Sequence, residues 1–508
     1  MFNENPEKYL YRRQYLLGPR LSNEFRNWKQ IQVTADYYLT FHPDLPMTKV
    51  SNEFNTILLL GYLIDPYNPS FNDSQIMQNI LNKSQNADDV FFNLADKCGR
   101  YVVILNFNGI FRIFSDACGL RQVFYHIDEQ NQVWCSSQPH IIAKQLNIKI
   151  NEDIKNDLYQ TQLFKSTEHW YPGNLTLFDG IFHLTPNHYF DIKLRKSFRY
   201  WPWERLNPLS ISECIPKVTK LLKGIIEGAS FRYNLAFAIS SGLDSRTLFS
   251  VTRKVANEIH YFTQSHGASQ EVNPDVLIPS KMLKELGLKH SVLSISNYID
   301  KNFYEILKRN VFTARRVKGL NAYSIFDYFK VEQKEIVVLY GNCSEITKRD
   351  RFRFPKTPRS FLTGKALAAM AKMSHSAIAV KQFTNWLISA KKLTAYNIDI
   401  MDMMHWEQRV GNWGAMTFAE YEMVYESLCP YSCRRYIEYM LSVPFKYRTQ
   451  PEYKLHHEII SANWPEVLEY EINPEKNKIK KKVENFLYRT GVYDYLKLVF
   501  LMTYKQFK

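Results

Sequence analysis

Short apolar or alternating runs, set apart by Asn, Asp and Gly, dominate residues 1–200. NTILLLGYLI (55–64), RYVVILNF (100–107), GIFRIFS (109–115), QVFYHID (122–128) and QVWCSS (132–137) match β-strands in length and residue type. Strands at such short spacing predict a layered domain, a β-sandwich. No segment recurs at a fixed period, which excludes a solenoid or a propeller.

The pattern changes beyond YWPWERLNPLSISE (200–213), where proline and charge cluster. The boundary falls there, dividing the chain into domains 1–205 and 206–508. Ile215, Val218, Leu222 and Ile225 then recur at helical spacing, with Ser212 as the expected cap. A strand at 235–240 follows, then a helix, the strand-like IHYFTQ, a helix in PDVLIPSKMLKELG, HSVLSI, and the run EIVVLYG. Alternating strands and helices predict a parallel sheet covered on both faces, an α/β fold. Ligands of such sheets bind outside the carboxyl ends of the strands. Two polar turns, SSGLDSR (240–246) and YGNCSEI (340–346), stand at those ends. From about residue 360 the chain is mainly helical and rich in aromatics.

Composition narrows the picture. With 45% apolar and 23% charged residues among 508, the chain is globular and long enough for two domains. No stretch approaches the ~18 apolar residues of a spanning helix. The N-terminus lacks the apolar core and cleavage site of a signal peptide, so a cytoplasmic location is expected. Seven scattered cysteines fit neither a zinc site nor a disulfide framework, and imply reduced, buried thiols. The net charge of +15 favours a phosphate-bearing ligand, nucleic acid or an anionic membrane surface without choosing among them. The basic run NPEKNKIKKKVENF (473–486) fits a solvated helix face.

SSGLDSR supplies the chemistry. Glycine and serines between a strand and a helix present backbone N–H groups and hydroxyls where the helix dipole favours phosphate. The turn lacks G-x-x-x-x-G-K-[ST], so it is not a Walker loop. Asp244 would repel a phosphate unless a cation bridged the two. Magnesium, which binds one or two carboxylates plus phosphate oxygens, is the expected ion.

SSGLDS resembles the S-G-G-x-D-S pyrophosphate loop of N-type ATP pyrophosphatases, and its context resembles the synthetase domain of the glutamine-dependent asparagine synthetase family. VVLYGNCSEI stands where that family has a strand ending in G-E-G-x-D-E. YESLCPYSCRRYIEYMLSVP and YKLHHEIISANWPEVLEYEINPEKNK resemble its later E-x-R-x-P-F-L-D and lysine-bearing segments. In the first half, LADKCGRYVVILNFNGIFRIFSDACGLRQVFYH resembles G-R-F and D-x-x-G-x-x-P-L-Y-Y of the glutaminase domain, and LTPNHYF resembles L-x-P-G-H. The blocks are weak but ordered, and they span nearly the whole chain. The resemblance implies an N-terminal hydrolase-like sandwich, a degenerate class II glutaminase, joined to an adenine nucleotide alpha hydrolase-like ATP pyrophosphatase domain.

By this resemblance Ser240, Ser241, Gly242, Asp244 and Ser245 would bind pyrophosphate, Thr263, Tyr340 and Gly341 the adenosine, and Asp244 and Glu345 the magnesium. Lys454 matches the lysine that stabilises charge on the reacting phosphate and acyl centre. Departures accompany these matches. Ser241 replaces a glycine and would be strained at positive φ. Arg246 replaces a small residue and offers a phosphate contact. Asn342 stands where the family carries Glu, or Tyr in β-lactam-forming relatives, leaving Glu407 or Glu426 as the candidate proton acceptor, each also readable as a structural ion-pair partner. The glutaminase family begins its mature chain with a catalytic cysteine. Here residue 2 is Phe and the first cysteine is Cys98, although Asp116 matches a family aspartate. An inactive glutaminase scaffold is expected.

The expected activity is an ATP-dependent ligase of asparagine synthase type. It would adenylate a small-molecule or glycan carboxylate and pass the acyl group to an amine or ammonia, in asparagine or bacterial surface-polysaccharide synthesis. ATP and Mg²⁺ are the expected cofactors. Two alternatives stand beside it: a tRNA-modifying ATP pyrophosphatase, which the absence of an RNA-binding module disfavours, and a non-catalytic relative. A homodimer is one assembly left open.

Overall fold

The computed structural model describes residues 6–25, 27–266, 273–330, 335–348, 362–474 and scattered positions between 483 and 499. Phe2 and most of the basic run 473–486 lie outside the described residues.

Strands between Tyr15 and Arg199 form two six-stranded antiparallel sheets. One holds Tyr15–Gly18, Lys29–Thr34, Tyr37–Phe41, Phe124–Ile127, Val133–Ser136 and Phe182–His183. The other holds Met47–Ser51, Asn55–Ile64, Cys98–Phe107, Ile110–Ser115, His188–Asp191 and Lys196–Arg199. Their facing sides share a core of Leu17, Leu39, Leu58, Leu60, Val102, Ile104 and Phe190. The outer face of the second sheet is also dry, because Ile57, Leu59, Val103 and Leu105 pack on helices Asp73–Lys83 and Asp89–Asn93. Burial on both faces explains why NTILLLGYLI is continuously apolar rather than alternating. Helix Pro139–Leu146 covers the first sheet through Ile141, Ile142 and Trp134. The expected β-sandwich is thus present, with helices covering both of its outer faces.

Beyond the sandwich the chain continues with helix Ile211–Arg232. Its cap is Ser210, not Ser212: Ser210 Oγ accepts from Glu213 N, and the Glu213 carboxylate accepts from Ser210 N. This reciprocal capping box needs a carboxylate three residues on, which Ser210 has and Ser212 lacks. The helix feeds a five-stranded parallel sheet of Asn234–Ala238, His260–His266, His290–Ile295, Ile336–Leu339 and Glu426–Leu428. In chain order the strands lie third, second, first, fourth, fifth. Their order therefore reverses between the first and fourth strands, which pair directly, Ala236 opposite Val338. Among the described residues from 362 to 474 the elements are helical except for the fifth strand, whose three residues are too few to show a period. Among the described residues no helix is long and apolar enough to cross a membrane.

Candidate active site

SSGLDSR leaves the first parallel strand and GNCSEI leaves the fourth, so the reversal of strand order places both turns on one crevice. A cavity of about 320 Å³ opens there, lined by Ser240, Asp244, Tyr340, Gly341, Asn342 and Glu345. Helix Met404–Gly414, wound as a π-helix, adds His405, Arg409 and Trp413 to the lining. Arg409 stacks its guanidinium 3.9 Å from the Trp413 ring, placing a rigid cation in the cavity wall.

The two turns touch. A Cβ on Gly341 would lie 3.0 Å from Ser245 N and 3.3 Å from Asp244 Cβ, so a side chain there would press on the SSGLDSR turn. The SSGLDSR turn is braced by its own hydroxyls. Ser245 Oγ donates to the Ser240 and Gly242 carbonyls, both at 3.1 Å, and lies 2.9 Å from Ser240 Oγ. Gly242 N donates to Ser240 Oγ at 3.2 Å. Ser241 avoids the left-handed region, so the strain expected there is absent. Its N–H and hydroxyl both reach Asp275 Oδ1, at 3.1 and 2.6 Å, where helix Pro274–Glu285 begins. An anion entering the turn would compete with the Asp275 carboxylate for these donors.

Asp244 opens helix Leu243–Ser250 and pairs with Lys348, whose Nζ lies 2.6 Å from Asp244 Oδ1. Lys348 is almost wholly buried, at the end of the short helix Glu345–Lys348, with its ammonium 5.4 Å from the Tyr453 ring. Asp244 and Glu345 line one cavity, and two carboxylates completed by phosphate oxygens and water suit Mg²⁺. Among the described residues no cluster of three or more His, Cys, Asp or Glu side chains forms a closed metal site. The donor set thus fits an ion shared with a phosphate, and Lys348 already supplies one positive charge to Asp244.

Of the other candidates Tyr340 lines this cavity, whereas Thr263, Lys454 and Arg246 do not. Thr263 is buried, donating to the Ile239 carbonyl at 2.7 Å and contacting His290 Nε2 at 2.9 Å. Tyr340 joins its hydroxyl to that of Tyr425 at 2.8 Å. Lys454 is exposed at the start of helix Lys454–Asn463, its ammonium 5.8 Å from the Tyr447 ring, and does not line the cavity. Arg246 turns away from the turn that carries it. Its guanidinium donates to the carbonyls of Val467 at 2.7 Å and Tyr470 at 3.3 Å, and burial lowers its pKa to about 10.

Glu407 and Glu426 are consumed by buried ion pairs and line no part of the cavity. Glu407 accepts from Arg199 at 2.8 Å, Trp386 at 2.9 Å and Asn187 at 3.0 Å. Glu426 accepts from Arg100 and Arg121 of the sandwich, each at 2.8 Å. Burial disfavours its charge, but Arg121, Arg100 and Arg13 prevail and hold the carboxyl at about 2. Glu422 shares both arginines.

Three buried side chains lead into the first sandwich strand. Arg13 donates to the Glu422 carbonyl at 2.8 Å, Gln14 to that of Asn310 at 2.7 Å, and Arg12 pairs with Asp44 at 2.7 Å. All seven cysteines are buried, and burial raises every thiol above its ordinary range. Asp116 is equally internal, accepting from the N–H groups of Cys118, Leu120 and Arg121.

Lys348, His405, Arg409 and Trp413 are the lining or pairing residues that sequence reasoning missed. The last three recur at intervals of four in HWEQRVGNW, a stripe that could have marked one helix face.

No protein-family model matches the chain, and no curated protein sequence does. Solved structures resemble parts of it. The glutamine phosphoribosylpyrophosphate amidotransferase of B. subtilis, complexed with ADP and GMP, shares 11% identity over 59% of this chain and 90% of its own, with a TM-score of 0.23. The glutamine-dependent NAD+ synthetase of Acinetobacter baumannii, in complex with ADP, shares 10% over 50% of this chain and 59% of its own, with a TM-score of 0.21. The NH3-dependent NAD synthetase of Campylobacter jejuni, in complex with nitrate, shares 13% over 39% and 92%, with a TM-score of 0.20. Overlap at this level assigns no activity.

Proposed function

We propose that the protein activates a carboxylate with ATP and transfers the acyl group to an amine or ammonia, without drawing ammonia from glutamine. The supporting observation is the convergence of the two turns, with Asp244 and Glu345, on one cavity where the strand order reverses. In this reaction a carboxylate oxygen bonds to the α-phosphorus of ATP and pyrophosphate leaves. The amine nitrogen then bonds to the acyl carbon, AMP leaves, and the nitrogen loses a proton.

Asp244 and Glu345 would hold Mg²⁺, which when bound neutralises phosphate charge. The SSGLDSR turn, with its hydroxyls and helix N-terminus, would receive the pyrophosphate. Arg409 in the wall, and Lys348 behind it through Asp244, would supply positive charge that stabilises developing anions without reorganisation. Lys454, exposed, would reach the reacting centre only after moving. The acid and amine are chosen by the cavity's remaining wall, for which His405, Asn342 and Trp413 are the candidates.

Exchange of labelled pyrophosphate into ATP, screened across aspartate, glutamate, uronic acids and amino-sugar acids, tests the proposal. Exchange dependent on one acid supports it, whereas release of phosphate alone would sink it. A second reading, nucleotide binding without turnover, is favoured by the Asp244–Lys348 pair, in which an ammonium already compensates the would-be metal ligand. ATP binding that is indifferent to Mg²⁺, with no exchange for any acid, would select it.

A further inference from the structure

A carboxylate of the chain itself stands where an anion would, against the turn that leaves the first parallel strand. Asp275 Oδ1 accepts from Ser241 N at 3.1 Å and from Ser241 Oγ at 2.6 Å, across 34 positions of sequence. Ser241 is almost wholly buried, whereas Asp275 is exposed. The cavity between the two turns reaches Ser240 and Asp244 but neither Ser241 nor Asp275. One backbone N–H and one hydroxyl of SSGLDSR are therefore spent on an internal carboxylate.

The contact is built so that the aspartate can leave it. Among the described residues no Lys, Arg or His pairs with Asp275, whereas Lys348 compensates Asp244. Helix Pro274–Glu285 does not need the Asp275 carboxylate, because Asn273 caps it: Asn273 Oδ1 accepts from the backbone N–H of Asp275 at 3.0 Å. An exposed carboxylate regains water when it swings out, so its departure costs little beyond the two bonds. The turn itself is strapped on another side, where Asn473 N donates to the Ser241 carbonyl at 3.0 Å. The side chain of Asp275 is thus the part that can move. Ser241 has an ordinary backbone conformation, and its hydroxyl supplies the shorter of the two bonds. A glycine there would leave the N–H bond alone. A phosphate oxygen repels a carboxylate, and the two cannot share one N–H and one hydroxyl.

We propose that Asp275 is an internal competitor for pyrophosphate: its carboxylate holds the Ser241 donors and must swing out before a phosphate takes them. The inference rests on the ATP-dependent reading of the turn and adds to it a control on how tightly pyrophosphate is held.

The test uses the full chain, with inorganic pyrophosphate and Mg²⁺ as the probe in titration calorimetry. Asp275→Ala should bind pyrophosphate at least about tenfold more tightly than the parent. Asp275→Asn keeps an acceptor of the same shape without the charge, and should fall between the two. This variant reads out even if Asp275→Ala fails to fold. A double-mutant cycle separates competition for the donors from simple repulsion at a distance. Ser241→Ala should weaken binding in the Asp275→Ala background, where the hydroxyl is released to the ligand. In the parent the same substitution should cost at least about threefold less, because there the hydroxyl is already spent. Additive effects would overturn the proposal. Weaker binding by Asp275→Ala would make the carboxylate a holder of ligand or metal, and would overturn it too. Equal affinity of Asp275→Ala and the parent would overturn this inference and leave the ATP-dependent reading standing. Pyrophosphate bound by none of the chains would overturn both.

Discussion

Lys348 holds its ammonium 2.6 Å from Asp244 Oδ1, joining the turn after the fourth parallel strand to the turn after the first. The lysine is 4% exposed and the aspartate 31%, so the pair is screened from one side only. Replacing Lys348 by Met removes a positive charge that compensates a carboxylate facing the cavity. An uncompensated buried charge costs about 3–5 kcal/mol, and the partial exposure of Asp244 reduces this to about 1–2 kcal/mol. Mg²⁺ binding to Asp244 and Glu345 would restore the compensation. Added Mg²⁺ should therefore raise the melting temperature of Lys348→Met more than that of the parent chain. Equal responses would remove Asp244 from the metal site. Asp244→Asn should lower acid-dependent pyrophosphate exchange, measured per folded molecule, by at least about a hundredfold.

The burial of all seven thiols bears on the nitrogen source. A thiolate is the reactive form, and burial raises each thiol here, Cys214 and Cys433 to about 12. Native protein should leave its thiols unreacted toward a chromogenic disulfide for minutes, and denatured protein should titrate all seven. Ammonium should support amide formation and glutamine should not replace it. Glutamine-dependent product that is abolished by thiol alkylation would show a nucleophile that the proposal excludes.

The two turns were legible because their signals are local. An apolar run ends, small residues follow, a carboxylate stands within four positions, and this grammar survives in SSGLDSR and in GNCSEI despite Ser241 and Glu345. The sandwich was legible for the same reason, its strands being short runs separated by turn residues. Partnership was not legible. Nothing around Glu426 reveals that Arg100 and Arg121, more than 300 residues earlier, claim both its oxygens. Arg246 sits in the turn by sequence, yet the carbonyls of Val467 and Tyr470 draw it out by space. Lys348 follows a stretch that reads as an ordinary short helix, and only the return of the fourth strand beside the first brings it to Asp244. Ser210 and Ser212 are both plausible caps; the carboxylate of Glu213 decides between them.

Stability should depend on pH in a window set by histidines. His42, His140, His183, His188 and His290 are all lowered to about 4, with burial the leading cause. Between about pH 6.5 and 4 the unfolded chain then binds more protons than the folded one, so stability falls as pH falls through this range. For His183, 3% exposed, the loss amounts to about 3 kcal/mol across the window. Urea midpoints at pH 7, 6 and 5 should decline, with His183→Gln showing a shallower decline. A flat profile would mean that these imidazoles are charged in the folded chain.

Glu426 offers the sharpest separation of structure from catalysis. Arg100 and Arg121 each bridge Glu422 and Glu426, four charges buried where the sandwich meets the parallel sheet. Glu426→Gln keeps the shape and removes one negative charge, leaving two guanidiniums and the neighbouring Arg13 facing Glu422 alone. Breaking such a pair costs about 3–5 kcal/mol, so the variant should melt several degrees lower and unfold at lower denaturant. Glu407→Gln should behave in the same way through Arg199. In both variants, pyrophosphate exchange measured well below the melting transition should stay within about twofold of the parent per folded molecule, because neither carboxylate lines the cavity between the two turns. A Glu426→Gln protein as stable as the parent but inactive would make this carboxylate the proton acceptor that Asn342 cannot be, and the ion-pair assignment would fall.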